Sequence, residues 1–306
     1  PIAHGARYEL RVRPTCDEPP TVNYALMASG TAAPTSLFLV DSLALEREES
    51  GETIITIDAS SPNGRRNHIQ TQPGAGHLMI RDALGDWLRQ TPNALRIYRL
   101  DSTKHAPLTT EKMAEFSAKS LLDMFYYTYF CTQSGAELPP NHFRKPTSSG
   151  AFGGMATQWG VKANLELDEG EALIITANDA GALFRNAVLC DAFYMTLNYW
   201  DRTGSLNMRQ MVSDDDGKYT YVVAHKEPGV HNWLDTSGLR RTIFGQRWQT
   251  FLEGKPNAMP SISAIKVKFE DLGEKLPSGV VKISETDRRG QIDLRRRGFD
   301  RRFIDR

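Results

Sequence analysis

An approximate internal repeat constrains this sequence more than any other feature. The segment Asn67 to Thr71 (NHIQT) aligns with Asn232 to Thr236 (NWLDT), and Arg81 and Arg247 follow the two segments at nearly the same distance. Similar order and spacing of such residues are typical of a duplicated structural unit. The sequence therefore predicts two lobes of one kind.

The repeat extends upstream, where Tyr24 aligns with Tyr194. The chain has 306 residues, 40% of them hydrophobic, which is enough to form the cores of two domains. The predicted boundaries are 1–108 for an N-terminal β lobe, 109–155 for a helical linker and irregular connection, 156–270 for a C-terminal β-sandwich lobe, and 271–306 for an Arg-rich tail.

Short segments with strand character dominate both lobes. Arg7 to Arg13 (RYELRVR) alternates charged and apolar residues, whereas Tyr219 to Ala224 and Arg241 to Trp248 are rich in β-branched and aromatic residues. Many short strands separated by turn residues predict a mainly β fold of two tandem β-sandwich or jelly-roll-like lobes. We also predict a strand over Val188 to Tyr199 and a short helix over Asp82 to Gln90.

Two helices complete the predicted fold. Apolar residues recur at helical spacing from Thr110 to Cys131, which predicts one connecting helix with a core-facing stripe. Arg288 to Arg306 contains eight Arg and three Asp, and Ser284 with Asp287 matches a capping box. We expect a C-terminal Arg-rich helix that packs back on the body through Ile292, Phe299 and Phe303. The alternatives are a tail that binds nucleic acid or an acidic partner, or a tail that docks on a neighbouring subunit.

Charge and composition narrow the class of partner. Thirty-seven basic residues balance 37 acidic ones, so the overall charge favours neither nucleic acid nor an anionic membrane. No apolar run is long enough for a membrane span, and no signal peptide is evident. Three widely spaced cysteines, Cys16, Cys131 and Cys190, suit a reducing cytoplasm. The absence of Met at Pro1 leaves open a missing leader or N-terminal segment.

Few catalytic motifs are present. The sequence contains no phosphate-binding loop, no dinucleotide fingerprint after a strand and no nucleophile elbow. His225, His231 and Asp235 form an H-x5-H-x3-D series whose spacing does not specify a metal. We therefore predict neither a metal nor an organic cofactor, with a metalloenzyme as a further alternative.

The segment 219–248 combines the residue types of an acid-base site. His225 follows a strand, and histidine is the side-chain type best suited to proton transfer near neutral pH. We expect Asp235 to pair with Arg247, which would stabilise an oxyanion or a carboxylate. The alternative is that His225 and the ion pair are only structural.

The predicted ligand-binding residues surround this catalytic group. Trp200 and Trp233 would stack on an aromatic or sugar ring, although core packing is the commoner use of Trp. Asn207, Asn232 and Arg81 complete the predicted ligand-binding set. We also expect the side chains of Asn67 and Asn232 to cap turns by bonding to their own backbone.

Taken together, these motifs resemble the family called domain of unknown function 1214. The C-terminal signature is carried by Asn198-Tyr-Trp200, Asn207, Asp216-Gly217, Ala224-His225, Pro228-Gly229, Asn232-Trp-Leu-Asp235-Thr236 and Arg247-Trp248. The N-terminal copy and the Arg-rich end are similar to it as well. The chain departs from the family at His68, where Trp is usual, and at His231, where Pro is common. Relatives usually also have an N-terminal helical segment that this sequence lacks.

The resemblance implies an all-β architecture and a genomic setting in the degradation of aromatic or steroid-like compounds, without an established reaction. We expect a cofactor-independent enzyme, a lyase or hydrolase, acting on an apolar small organic molecule in a cleft of the C-terminal lobe. The alternative is a non-catalytic module that binds a sugar or aromatic ligand or assembles into a homo-oligomer through the Arg-rich tail.

Overall fold

The structure, a computed structural model, describes residues 1–28, 35–101 and 108–304. Short 3-10 helices lie at Ser42–Ala44, Ser149–Phe152 and Phe269–Asp271. The strands and α-helices are β1 (Tyr8–Arg13), β2 (Thr21–Ala28), β3 (Ser36–Asp41), β4 (Thr53–Asp58), β5 (His68–Gln70), β6 (Ala75–Ala83), β7 (Ala94–Arg99), α1 (Thr110–Ala136), β8 (Thr147–Ser148), β9 (Gln158–Glu166), β10 (Glu171–Ala177), β11 (Ala182–Cys190), β12 (Ser205–Asn207), β13 (Tyr219–Ala224), β14 (Trp233–Asp235), β15 (Arg241–Phe251), β16 (Ile262–Lys268), α2 (Leu272–Lys275) and α3 (Glu285–Ile304).

The chain divides into two compact units. The first unit comprises residues 1–84, 90–130 and 150–156, and the second comprises 85–89, 131–149 and 157–306. The predicted mainly β fold with sandwich-like lobes and a C-terminal helix is confirmed. The domain boundaries at 108, 155 and 270 stay predictions.

The first unit is a sandwich of two sheets. Sheet A has the strand order β5, β4, β1, β7, and sheet B has the order β3, β2, β6. Residues of β1 alternate, so Leu10 is buried while the charged neighbours Glu9 and Arg11 point away from the core. Leu10 and Ile57 of sheet A form one core with Tyr24 of sheet B.

The second unit repeats this order with two added strands. Sheet D has the order β14, β13, β10, β16, and sheet C has the order β12, β11, β15, β9, β8. Ile175 and Val223 of sheet D form a core with Ala187, Phe244 and Trp248 of sheet C. Apart from β8 and β9, each strand of the second unit has a counterpart at the same place in the first.

The register of the strands is equivalent as well. In each unit an Asn on the central strand pairs with an Arg on one neighbour and with an Asp or Asn on the other: Asn23 with Arg81 and Asp41, and Asn186 with Arg247 and Asn207. This register aligns Tyr24 with Ala187, so the predicted alignment of Tyr24 with Tyr194 is wrong. Tyr194 lies instead in the turn after β11.

Asn67 and Asn232 make the same pair of hydrogen bonds in the two units. Asn67 accepts from Glu46 N at 2.8 Å and donates to Glu46 O at 2.7 Å. Asn232 accepts from Val212 N at 2.9 Å and donates to Val212 O at 2.7 Å, and it also donates to Thr220 O at 3.0 Å. Each amide therefore fixes a distant loop, and the expectation that it bonds to its own backbone is wrong.

Three predictions differ from the structure. The apolar stripe of α1, expected to face the core, is exposed: Phe116, Leu121 and Phe125 are 64–72% exposed. The expected helix over 82–90 is absent, because β6 continues to Ala83 and Asp86 then accepts hydrogen bonds from the amides of Leu88 and Arg89 in a turn. The expected strand over 188–199 ends at Cys190, because Asp191 closes a turn in the same way.

Helix α3 begins at the predicted capping residues. The amide of Asp287 donates to Ser284 Oγ at 3.1 Å, and that hydroxyl donates to the Asp287 carboxylate at 2.7 Å. Within the described residues, no helix has the length and apolar character needed to span a membrane.

Candidate functional site

The outer face of sheet C, which points away from the core, carries a group of neighbouring polar side chains. Phe244 and Trp248 of β15 face the core, so the alternating residues Gly245 and Arg247 point to the opposite face. Strand pairing places Arg247 between Asn186 on β11 and Gly160 on β9. A cation, an amide and a glycine therefore lie side by side on this face.

Arg247 is half-buried and has no hydrogen-bond or ion-pair partner for its guanidinium among the described residues. The side-chain oxygen of its neighbour Asn186 is likewise buried without a partner. Beyond Asn186, Asn207 on β12 is 5% exposed and accepts a hydrogen bond from the amide of Arg209 at 2.9 Å. An unpaired guanidinium next to buried amides is a favourable place for an anion.

Two glycines lie next to Arg247, the half-buried Gly160 and the buried Gly245. A Cβ atom at Gly160 would meet only Gln246 O, at 3.4 Å, and one at Gly245 would meet only Val188 Cγ1, at 3.4 Å. Both of those atoms belong to neighbouring strands of the same sheet. Neither glycine adds a side chain to this part of the sheet, and we call the surface formed by Arg247, Asn186, Gly160 and Gly245 the Arg247 recess.

A strained turn forms one side of the Arg247 recess. Tyr194 has a φ of 63°, which is unfavourable for an aromatic residue, and its ring lies over the ammonium group of Lys162 at 4.3 Å. Asp191 Oδ1 stabilises this turn by accepting from the amides of Phe193 and Met195, each at 2.9 Å. The same turn carries two exposed apolar side chains, Phe193 at 72% and Met195 at 61%.

Cys190 ends β11 at the same face. Burial raises the pKa of its thiol, and the charges of Arg247 and Lys162 oppose that effect. A thiol with a raised pKa is protonated at neutral pH and is a weak nucleophile.

His225, the predicted proton carrier, is held at both ring nitrogens. Nε2 lies 2.9 Å from Leu167 O, and Nδ1 lies 2.7 Å from Thr236 Oγ1. A carbonyl oxygen only accepts, so Nε2 carries the proton and Nδ1 accepts from the hydroxyl. This arrangement is that of a structural histidine.

The predicted ion pair between Asp235 and Arg247 is wrong. Asp235 is 3% exposed and accepts from Arg202 Nη1 at 2.9 Å and from the amide of Ser237 at 2.7 Å. Leu234 faces the core, so Asp235 points to the outer face of sheet D. Arg247 points to the outer face of sheet C, and the core therefore lies between the two side chains.

Helix α3 covers both predicted stacking tryptophans. Phe299 stacks on Trp200 with ring centroids 4.7 Å apart and an interplanar angle of 17°. The Arg288 guanidinium lies 5.3 Å from the Trp233 ring, whose Nε1 donates to Ala224 O at 3.1 Å. The contacts that a ligand ring would make are thus already made by the chain itself.

Two buried arginines anchor α3 in the second unit. Arg288 pairs with Glu227 at 2.8 Å and also donates to the backbone of 230 and 231. Arg295 donates to Tyr199 O and Ser205 O, each at 2.7 Å, and burial lowers its pKa to about 10. The part of the tail predicted to dock on another subunit is therefore bound within its own chain.

Of the remaining predicted residues, Asn232 precedes strand β14 of sheet D and Arg81 lies on strand β6 of sheet B. Asn232 fixes the loop at Val212, as described above. Arg81 occupies in sheet B the position that Arg247 occupies in sheet C, and its Nη1 lies 3.2 Å from Met155 Sδ. Of the predicted site residues, only Asn207 and Arg247 lie on the same face of one sheet and in the same row of paired residues.

Sequence analysis did not identify Lys162, Asn186 and Tyr194 as site residues. The alternation of β9 and β11 shows that Lys162 and Asn186 point away from the core, but not which strands are neighbours. Across the described ranges, no group of three His, Cys, Asp or Glu side chains is arranged to hold a metal ion.

No known family model matches the chain, and no curated protein is significantly similar to it. A crystal structure of an uncharacterised protein from Burkholderia cenocepacia is similar in fold, with a TM-score of 0.79 and 21% identity over 89% of this chain and 75% of that chain. A protein from Vibrio parahaemolyticus aligns at a TM-score of 0.43 and 12% identity, over 86% of this chain and 87% of that one. The first similarity establishes the fold alone.

Proposed function

We propose that the protein binds a small apolar molecule bearing a carboxylate, such as an aromatic or steroid-like acid, in the Arg247 recess. The observation that carries the proposal is the half-buried guanidinium of Arg247, which has no polar partner among the described residues. A partly desolvated charge is costly unless it is paired, and a ligand carboxylate would supply two acceptors.

The surroundings of Arg247 suit the rest of such a ligand. Lys162 adds a second positive charge, while the exposed side chains of Phe193 and Met195 offer apolar contact. Gly160 and Gly245 add no side chain that would block a ligand beside Arg247. An anionic head and an apolar body are therefore both accommodated.

Ligand binding is better supported than acid-base catalysis. Both nitrogens of His225 are engaged, and burial raises the pKa of the Cys190 thiol. We also propose membership of the domain of unknown function 1214 family, for which Asn207 and Arg247 are two of the matching residues.

Isothermal titration of the full chain with benzoate and cholate, and with the neutral analogue benzamide, tests the proposal. We expect at least one carboxylate to bind and benzamide to bind at least about tenfold more weakly, because the amide lacks the charge-assisted bonds. Arg247→Gln should weaken carboxylate binding by at least about tenfold.

Arg241→Gln is the matched control. Arg241 lies on the same strand but is exposed and paired with Glu166 at 2.9 Å, so its loss should leave binding unchanged. Equal affinity of Arg247→Gln and the unmodified chain, or the absence of binding by every carboxylate tried, would contradict the proposal.

A further inference from the structure

The first unit has no counterpart of strand β9, and the place of that strand is open. In the second unit β9 pairs with β15 and covers one side of it. The strand equivalent to β15 in the first unit is β6, which is the last strand of sheet B. Among the described residues no strand pairs with β6 on its outer side. We call this side of β6 the open edge.

The backbone of β6 has unpaired polar groups along the open edge. On the neighbouring strand β2, the amide of Val22 points towards β3, where Ser42 Oγ accepts its hydrogen bond at 3.0 Å. The β6 residues opposite Val22 and at every second position from it therefore direct their N–H and C=O groups away from β2. They are Leu78, Ile80 and Asp82, and no described residue bonds to these backbone groups. Such an edge is able to pair with a further strand.

The core-facing side chains of β6 are less buried than their counterparts in the second unit. Leu78 and Ile80 pack against the core of the first unit but are only half-buried. Phe244 and Gln246, at the equivalent places of β15, are 0% and 1% exposed. The difference follows from the strand beside them, because β9 covers β15 and no described strand covers β6.

The opposite sheet shows the same difference. Leu95 and Ile97 of β7 are on the core side of sheet A, since Ile97 pairs with the buried Leu10, yet they are 43% and 53% exposed. Their counterparts on β16, Ile262 and Ala264, are half-buried and pack against the core of the second unit. Apolar side chains of both sheets are therefore incompletely covered in the first unit.

The N-terminal residues occupy the first place of the missing row. Ile2 N donates to Gly76 O at 3.0 Å, and the Ile2 side chain is 3% exposed in the core of the first unit. Thr242, which takes the place of Gly76 in the second unit, pairs with Leu165 of β9. Ile2 thus lies where β9 has Leu165, and the following places along β6 are open.

We propose that an extended segment of a partner polypeptide adds to sheet B along the open edge, antiparallel to β6, in the place that β9 takes in sheet C. The size of the surface favours a single strand over a second folded copy. A large aromatic side chain presents only about 150–250 Å², so four aliphatic side chains that are about half exposed or less present under about 400 Å². Each partner of a stable globular interface buries about 800 Å².

The register of the added strand defines the chemistry of the partner. Residues opposite Leu78 and Ile80 point into the sandwich and should be apolar, as Ala163 and Val161 are at these places in β9. The residue opposite Arg81, which is exposed on the outer face, should be acidic, because opposite charges on neighbouring strands attract. The partner segment therefore alternates apolar and polar residues and carries a carboxylate opposite Arg81.

Hydrogen exchange of the full chain in the presence of a synthetic peptide of β9 (QWGVKANLE) tests the proposal. At millimolar peptide, fragments that contain β6 should gain up to three protected amides, those of Leu78, Ile80 and Asp82, because the added strand bonds to them. The exchange of β15 should be unchanged. A peptide with Gly160→Glu should protect β6 at a lower concentration, since this residue lies opposite Arg81.

The control peptide carries Val161→Pro, which removes an amide of the added strand and should give no protection of β6. It leaves the protein itself unaltered, so its failure to bind has no other cause than the peptide backbone.

A pair of variants tests the apolar contact. Ile97→Lys should weaken binding of the β9 peptide at least about tenfold, because a charge would face the apolar side of the added strand. Tyr98→Lys is the matched control, since Tyr98 is 42% exposed but pairs with Glu9 and points to the outer face of sheet A. This variant should bind the peptide as the unmodified chain does, and both should keep the circular dichroism of the unmodified chain.

Three results would overturn the proposal. The first is that neither the β9 peptide nor its Gly160→Glu form protects β6, and the second is that Ile97→Lys and Tyr98→Lys bind the peptide equally. The third is a free protein whose β6 amides are already protected and whose mass in sedimentation velocity is twice 34.3 kDa, because a second copy would then occupy the open edge.

Discussion

The two units share strand order and register but differ in what their outer faces carry. In the first unit the row across sheet B ends in Asp41, whereas the equivalent position in sheet C is Asn207. In the first unit, the carboxylate of Asp41 thus lies in the same row of paired residues as Arg81. In the second unit, the amide of Asn207 takes that position in the row of Arg247. One scaffold therefore supports a charge-balanced row in one copy and an unpaired cation in the other.

The opposite sheets also differ. The outer face of sheet D packs against α2 and following residues, forming a second cluster that contains Ile174, Val222 and Leu272. The outer face of sheet A instead carries exposed charged and aromatic side chains, including Arg11 over the Tyr98 ring at 5.6 Å. Backbone pairing is maintained while the surface is free to change, because strand hydrogen bonds do not depend on side-chain identity.

The largest expected effect tests whether the two cores are equivalent. Leu10 and Ile175 lie on the central strands β1 and β10 and are 1% and 0% exposed. Leu10→Ala and Ile175→Ala should each cost about 2–5 kcal/mol of unfolding free energy. Hydrogen exchange resolved by mass spectrometry should locate each loss in its own unit. A loss spread evenly over both units would show that the units do not unfold separately.

The next effect concerns the equivalent asparagines. Asn67→Ala and Asn232→Ala each leave buried backbone groups unpaired, which should cost about 1–3 kcal/mol in urea unfolding. Asn232→Ala should cost more, because Asn232 makes a third bond to Thr220 O and is 3% exposed, compared with 9% for Asn67. A larger loss of unfolding free energy for Asn67→Ala than for Asn232→Ala would contradict this comparison of hydrogen bonds.

The smallest effect tests the difference between the rows of Arg81 and Arg247. Asn207→Asp places in sheet C the carboxylate that sheet B already has, and the carboxylate still accepts from the amide of Arg209. We expect carboxylate ligands to bind several-fold more weakly, with unfolding free energy changed by less than about 1 kcal/mol. The reverse change Asp41→Asn should leave that binding unchanged. Tighter binding by Asn207→Asp would contradict the electrostatic role of this row.

Sequence reasoning identified the elements better than the site. The alternation of RYELRVR predicted β1, and the capping residues of α3 were found because both signals are local. Sequence reasoning failed where a short polar residue ends a periodic segment, as Asp191 does after β11. The hydrogen bonds of that turn end the strand, although the composition of the segment favours its continuation. It also treated Arg247 and Asp235 as neighbours because they are close in sequence.

The sequence by itself determined that the chain forms two β units of one kind, a connecting helix and a capped C-terminal helix, because side-chain periodicity and turn chemistry act over a few residues. Only the tertiary structure decided which side chains meet. Strand pairing brings Asn186 and Arg247 together from distant segments, and the alternation of β14 and β15 turns Asp235 and Arg247 to opposite outer faces. Periodicity gives a side chain its direction, whereas the pairing of distant strands gives it its neighbours.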